Sequence, residues 1–135
     1  HKESGDNSLI ESQTRSASSA DYLADNMARA PVLFIPCIAG RTDSEATSNI
    51  IAQTGTLGSI IPAAWNFMLA ARARGLGTAW TTLHLMQEKA VADIIGIPYD
   101  DYMQIALIPI AYTKGTDFKK AYRPSVDTVM HFNEW

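Results

Sequence analysis

The chain of 135 residues has little that would tie it to a disulfide, a metal ion or a membrane. Its one cysteine, Cys37, excludes an intrachain disulfide and fits a reducing compartment, so we expect a cytoplasmic protein. Its three histidines, His1, His84 and His131, have no metal-ligand spacing with one another or with the cysteine. No window holds the roughly 18 apolar residues of a membrane span. The sequence therefore predicts neither a metal site nor a membrane partner.

Clustered positive charge and the common catalytic motifs are also missing. The formal net charge is -3, which argues against nucleic acid or an anionic lipid surface as a partner. The sequence contains no GxGxxG, Walker loop, GxSxG or CxxC pattern, and its carboxylates are scattered. No side chain is therefore predicted to act as a catalytic acid, base or nucleophile.

The remaining composition is that of one globular domain, because 47% of the residues are hydrophobic. Residues 1–19 are rich in serine and are predicted to be a flexible polar segment. The domain is expected over residues 20–135. Its first helix is expected to begin at Ser19 and to end before Pro31.

Three short segments predict strands. Val32–Ile38 and Gln104–Tyr112 are continuous apolar runs, which are typical of strands buried on both faces. Pro36 and Pro109 restrict the pairing of these two strands, and Pro36 indicates a strand end, an edge or a bulge. Thr78–Leu83 is β-branched and aromatic, as strands are.

A long helix precedes the third strand, and its sequence is apolar all round. We expect it to begin at Ile61 or Pro62 and to end near Arg74, after a polar loop with at most one short helix over Gly40–Gly58. A helix that is apolar on every face is covered on every face, either by its own chain or by a second subunit. A last helix is expected to end at Gly96. The order of elements predicts an α+β or α/β fold with a small sheet.

Four segments resemble the FMN-dependent nitroreductase family. They are SIIPAAWNFMLAARARGLGTAWTT, YLADNMARAPVLFIPC, VADIIGIP and ALIPIAYTKGTDFKKAYRPSVDTVMHFNEW. The resemblance covers about residues 20–135 and is closest to actinobacterial-type members, which have a TTLHL strand. It extends over only the C-terminal two-thirds of such a protein. The family's Arg-rich flavin-phosphate region has no counterpart in residues 1–19.

The resemblance implies an α+β homodimer with a small central sheet flanked by helices. The long apolar helix, residues 61–74, would lie in the dimer interface, and the C-terminal tail would cross onto the partner. FMN would sit between the subunits, accept electrons from NAD(P)H as co-substrate, and pass them to a small-molecule acceptor such as a nitroaromatic or a quinone.

The resemblance also implies six cofactor-binding positions. The segment that lines the flavin ring matches Trp80, Thr81, Thr82 and Leu83. Arg123 matches the position of the family's C-terminal phosphate-binding arginine. A guanidinium fork suits the oxygens of a phosphate. Lys120, or its neighbour Lys119, would assist. The alternatives are ordinary strand residues for the threonines and a solvated face for the lysines.

Two further functions remain open from the sequence. One is a flavin-binding or interaction protein of the same fold without turnover, and the other is an inactive fragment of a parent enzyme. With one arginine and at most one lysine at the phosphate, about two charge-assisted contacts of about 1.5–3 kcal/mol each are lost, which lowers affinity by about two to four orders of magnitude. We therefore expect this chain alone to bind FMN weakly or not at all.

Overall fold

The structure is a computed structural model that describes residues 2–44, 48–118 and 121–135. The chain forms two compact units. The first comprises residues 1–28 and 115–135, and the second comprises residues 29–114. No helix within the described residues has the length and apolar content needed to cross a membrane.

The first unit contains helix α1, Lys2–Asn26, and a 3-10 turn at Val126–Thr128. The helix differs from the prediction, since residues 1–19 were expected to be a flexible segment and a helix was expected only from Ser19. Hydroxyl groups inside α1 bond to its own backbone: Thr14 Oγ1 donates to the carbonyl of Ile10, and Ser16 Oγ to that of Ser12, both at 2.9 Å. Because these hydroxyls are satisfied four residues back, the polar composition is compatible with a helix.

Within its described residues the second unit contains five strands and two α-helices. Their bounds are β1 Val32–Phe34, β2 Cys37–Ala39, α2 Ile50–Ala73, β3 Leu76–Thr78, α3 Glu88–Ile95, β4 Tyr102–Gln104 and β5 Ile108–Tyr112. One antiparallel sheet has the order β1-β5-β3, and a second consists of β2 and β4. Gly96 closes α3 in the left-handed region with φ 76°, as predicted, and its N–H donates to the Ala92 carbonyl.

Each long apolar run is divided between the two sheets. Val32–Ile38 was predicted as one strand but forms β1 and most of β2, and the run from Gln104 to Tyr112 ends β4 and forms β5. The registers Phe34↔Ile108 and Cys37↔Gln104 leave two residues on one side and three on the other. Such an extra residue is a bulge, which bends a strand from one sheet into the next. The extra residue lies within 105–107, while Pro36 lies between β1 and β2, at the strand end that was one of its three predicted alternatives.

The third predicted strand is interrupted opposite a proline. Thr78 pairs with Ile110 at the end of β3, and Thr81 pairs with Leu107 in an isolated bridge. Both pairs keep one register, so the intervening Ala79 falls opposite Pro109. Because proline has no N–H to donate, the ladder is broken at that position.

Helix α2 begins earlier than predicted. It starts at Ile50, after Asn49, whose side chain accepts a hydrogen bond from the N–H of Ala52 at 2.9 Å. The predicted start at Ile61 or Pro62 was wrong, since Pro62 lies inside the helix. The proline lacks the N–H that would reach the carbonyl of Gly58, but the Asn49 cap supplies an N-terminus more than two turns earlier.

The core of the second unit is small and covers one side of α2. Ala64, Ala106, Ile108 and Ile110 are buried, and Phe34, Met68, Leu76 and Trp80 pack against them. Elsewhere α2 exposes large apolar side chains, namely Ile61 (41%), Phe67 (37%), Leu69 (51%) and Trp65 (56%). The described residues of the second unit therefore cover only one face of this apolar helix, and a dimer interface on the other face stays a prediction.

Candidate functional site

The first half of the segment Trp80–Leu83 is fixed in the core. Trp80 packs against the buried cluster that includes Ala64 and Ile108. Thr81 donates twice to the carbonyl of Leu107, from its N–H at 3.1 Å and from Oγ1 at 2.7 Å, and accepts from the Leu107 N–H at 2.9 Å. The Thr81 hydroxyl therefore holds the segment against β5, as in the alternative that treats it as a strand residue.

The second half of the segment faces solvent. Thr82 is exposed, and its side chain makes no capping hydrogen bond to the 3-10 turn Leu83–Gln87 that follows. Leu83 is 78% exposed and Met86, three residues later, is 79% exposed. The segment thus presents a hydroxyl that makes no capping bond beside an apolar surface, directly after the paired Thr81.

The two predicted phosphate-binding residues lie elsewhere in the chain. Arg123 belongs to the first unit, is exposed, and donates from Nη1 to the carbonyl of Tyr122 at 2.8 Å. Lys120 lies outside the described residues. The structure brings Trp80, Thr81, Thr82 and Leu83 together, and the binding role of all six residues stays a prediction.

His84, which directly follows the segment, has an unusual environment. Its Nδ1 and Nε2 are both inaccessible to solvent, and neither has a hydrogen-bond partner in the described part of the chain. Burial lowers the pKa of His84 below its ordinary value, and the charge of Glu88 opposes this shift. In the sequence this histidine was considered only as a metal ligand, and no pattern there indicates its burial.

A charge cluster lies beside His84 that no sequence pattern indicated, and its Asp43 side chain is 54% exposed. Arg41 is paired with Asp43 and Glu88, with Nη2–O distances of 2.7 Å to each. The side chains of Arg41 and Glu88 are each 12% exposed. Arg41 Nη1 also donates to the carbonyls of Tyr99 and Tyr102, and its guanidinium lies 4.0 Å from the centre of the Tyr99 ring.

Glu88 connects this cluster to β4. Its Oε1 accepts a hydrogen bond from the backbone N–H of Gln104 at 2.8 Å, and its own carbonyl accepts one from Gln104 Nε2 at 2.9 Å. Gln104 is 2% exposed, and its Oε1 has no partner among the described residues. Rotating the amide would point Oε1 at the Glu88 carbonyl, so the observed orientation is the favourable one.

Charge also affects the neighbouring groups. Hydrogen bonds from Arg41 hold the pKa of Asp43 below its ordinary range. Burial, and then the charge of Glu88, raise the pKa of the Cys37 thiol. Among the described residues no group of three His, Cys, Asp or Glu side chains is arranged to hold a metal ion.

Comparisons with known proteins agree with this architecture. A family model for the nitroreductase family matches residues 2–112. The crystal structure of a BluB-like flavoprotein from Clostridium difficile 630 is similar in fold, with a TM-score of 0.62 and 16% identity over 98% of this chain and 71% of that chain. A comparison with curated proteins found no match.

The family match differs in extent from the resemblance seen in the sequence. It begins at residue 2, inside α1, and ends at Tyr112, before Arg123 and the C-terminal tail. It includes the Trp80–Leu83 segment, the apolar helix α2 and all five strands. The chain belongs to the nitroreductase family, which indicates a flavin-dependent oxidoreductase with a nitroreductase-like α+β fold.

Proposed function

We propose that this chain is part of an FMN-dependent oxidoreductase of nitroreductase type, which uses NAD(P)H to reduce a nitroaromatic or a quinone. The observation that carries the proposal is the exposed Thr82–Leu83 pair, held in place by the bonds between Thr81 and Leu107. The exposed Leu83 side chain, next to the Thr82 hydroxyl that makes no capping bond, supports contact with the ring of a flavin.

Each residue of the site has a simple binding role. Leu83 packs against the flavin ring, and the Thr82 hydroxyl donates to a polar atom at its edge. Arg123 and Lys120 stay the residues that the resemblance assigns to the phosphate, since cationic side chains suit its oxygens. When bound, FMN supplies the redox chemistry by accepting hydride from NAD(P)H and passing electrons to the acceptor. No side chain of the chain is needed as an acid or a base.

A homodimer is part of the proposal. The exposed face of α2 carries Ile61, Trp65, Phe67 and Leu69, and no described part of the chain covers it. The C-terminal tail exposes Val129 (67%), Phe132 (73%) and Trp135 (100%). Apolar groups of this size are usually covered in an assembly. In the proposed dimer, α2 pairs with its copy and the C-terminal tail docks on the partner. Both apolar surfaces would then be buried.

The proposal is tested by adding FMN to the purified chain and following flavin absorbance and fluorescence. Bound flavin that NADPH or NADH bleaches without air, and that a nitroaromatic reoxidises, supports the oxidoreductase. Bound flavin that neither nucleotide bleaches indicates a flavin-binding protein without turnover. Absence of bound flavin even at millimolar FMN indicates a fragment that does not act by itself. The actinobacterial subtype and the correspondence to the C-terminal two-thirds of a longer enzyme remain predictions.

A further inference from the structure

Both ring nitrogens of His84 are enclosed, although the residue as a whole is only half-buried, and only one protonation state of the ring tolerates this enclosure. A neutral imidazole has one N–H donor and one acceptor nitrogen, whereas the charged form has two donors and a full positive charge. Both nitrogens of His84 lack solvent and lack a partner within the described residues. The neutral ring therefore leaves two polar atoms unsatisfied, and the charged ring would also leave a cation without water.

The charged groups around His84 offer little compensation for protonation. Glu88 of α3 acts on the ring electrostatically, but its Oε2 is bonded to Arg41 and its Oε1 accepts from the Gln104 N–H. Arg41, from the segment after β2, carries a positive charge of its own, and Asp43 is paired with it. Cys37 of β2 lies within the electrostatic range of Glu88 as well. A protonated His84 thus faces a carboxylate that is already neutralised.

The position of His84 in the chain determines what its protonation would move. The residue lies in the 3-10 turn Leu83–Gln87, directly after the exposed Thr82–Leu83 pair. The turn is short and is joined to the preceding segment by a hydrogen bond from the Leu85 N–H to the Thr82 carbonyl at 3.0 Å. Among the described residues few other bonds oppose movement of the turn, because short 3-10 segments are weakly stabilised.

We propose that His84 is an acid-sensitive latch: the neutral ring keeps the turn Leu83–Gln87 in place before α3, and protonation releases it. The folded state favours the neutral ring. The contribution of His84 to the free energy of unfolding is therefore fully present at pH values above the ordinary titration range of histidine. It is lost as pH falls through that range, when the unfolded state binds a proton that the folded state resists. Release would carry Leu83 away from its support next to Thr81.

The test uses the full chain without flavin, so its outcome does not depend on the proposed function. Imidazole resonances of 13C- and 15N-labelled histidine are followed by NMR from pH 8 to pH 4.5, and hydrogen exchange of the Leu85 amide is measured over the same range. We expect His84 to titrate below its ordinary value of 6.5 and the Leu85 amide to lose protection as the ring becomes charged. Titration at or above 6.5, or unchanged protection of Leu85, would overturn the proposal.

Two variants separate the latch from general acid effects. His84→Leu keeps apolar bulk without a titrating group, and we expect its Leu85 amide to keep its protection at low pH. His131→Leu is the matched control, because His131 is exposed and stacks on Trp135 at 4.8 Å, and its acid response should equal that of the unmodified chain. Equal loss of protection in His84→Leu and in the unmodified chain also contradicts the proposal. If His84→Leu fails to fold, the titration and the exchange of the unmodified chain still decide.

Discussion

The exposed face of α2 and the cluster of Arg41, Asp43 and Glu88 reverse the usual distribution of residues. Trp65 and Leu69 of α2 are 56% and 51% exposed, whereas the side chains of Arg41 and Glu88 are each 12% exposed. Soluble domains ordinarily bury large apolar groups and expose charge. Both exceptions lie in the second unit.

The two exceptions have different explanations. Arg41 and Glu88 are buried with partners, since the guanidinium has two carboxylates, two carbonyls and a tyrosine ring within contact. The α2 face has no such partners within the described chain. The charged cluster thus has its partners within the second unit, while the described residues of that unit leave the apolar face of α2 uncovered. Substitutions in the charged cluster should therefore change the free energy of unfolding. Substitutions on the exposed face of α2 should change the dimer dissociation constant.

The largest expected effect follows from removing the arginine. Arg41→Met leaves Glu88 as a buried charge without its cation, and loss of one partner of such a pair costs about 3 kcal/mol of unfolding free energy. Urea denaturation followed by circular dichroism measures this loss. Arg41→Lys keeps the charge but not the forked geometry. Its unfolding free energy should lie between those of the unmodified chain and Arg41→Met. A loss below about 1 kcal/mol in Arg41→Met would show that the cluster is solvated rather than buried.

The next effect concerns the apolar face. Trp65→Lys places a charge where the proposed dimer would bury an aromatic ring, and central aromatic residues typically contribute about 2 kcal/mol or more to association. The dimer dissociation constant should rise about 30-fold, as measured by analytical ultracentrifugation over a range of concentrations. Ile94→Lys is the control, because Ile94 is 82% exposed on α3 and should leave association unchanged. A monomeric unmodified chain would refute the interface.

A smaller effect distinguishes the two threonines of the site. Thr81→Val removes the hydroxyl that donates to Leu107 at 2.7 Å and should lower the unfolding free energy by about 1 kcal/mol. Thr82→Val removes a hydroxyl without a capping bond and should leave stability unchanged while weakening FMN binding about fivefold. Each variant is the control for the other in denaturation and in flavin titration. The reverse pattern would mean that Thr81, not Thr82, contacts the flavin.

Much of the fold follows from local signals in the sequence. The αL conformation of Gly96 ends α3 where the Gly-Ile-Pro sequence predicts it, and apolar runs mark the strands. The division of these runs between two sheets could not be predicted. A run buried on both faces is apolar throughout, so its sequence has no pattern that marks the position of a bulge. Helix α1 was missed for another reason. Its serine-rich composition is typical of disordered chains, and composition does not show hydroxyls bonding within a helix.

The site was predictable only in part. Trp80–Leu83 was found by resemblance, but the division between a fixed Thr81 and a free Thr82 depends on the register with Leu107. Arg41 was missed because Glu88 and Tyr102 lie 47 and 61 residues away along the chain. His84 carries no local signal at all, since only the packed structure shows that its nitrogens are enclosed.

The smallest effect is expected for an ion pair that matches the buried one in length but not in exposure. Lys89 and Asp93 are 2.8 Å apart on α3, close to the 2.7 Å between Arg41 and Glu88, yet their side chains are 65% and 61% exposed. Water already solvates both charges, so Lys89→Met should leave the urea midpoint unchanged within error. If this variant were as unstable as Arg41→Met, distance rather than burial would set the strength of both pairs. The difference in exposure between the Arg41–Glu88 and Lys89–Asp93 pairs would then have no effect on the unfolding free energy that each pair contributes.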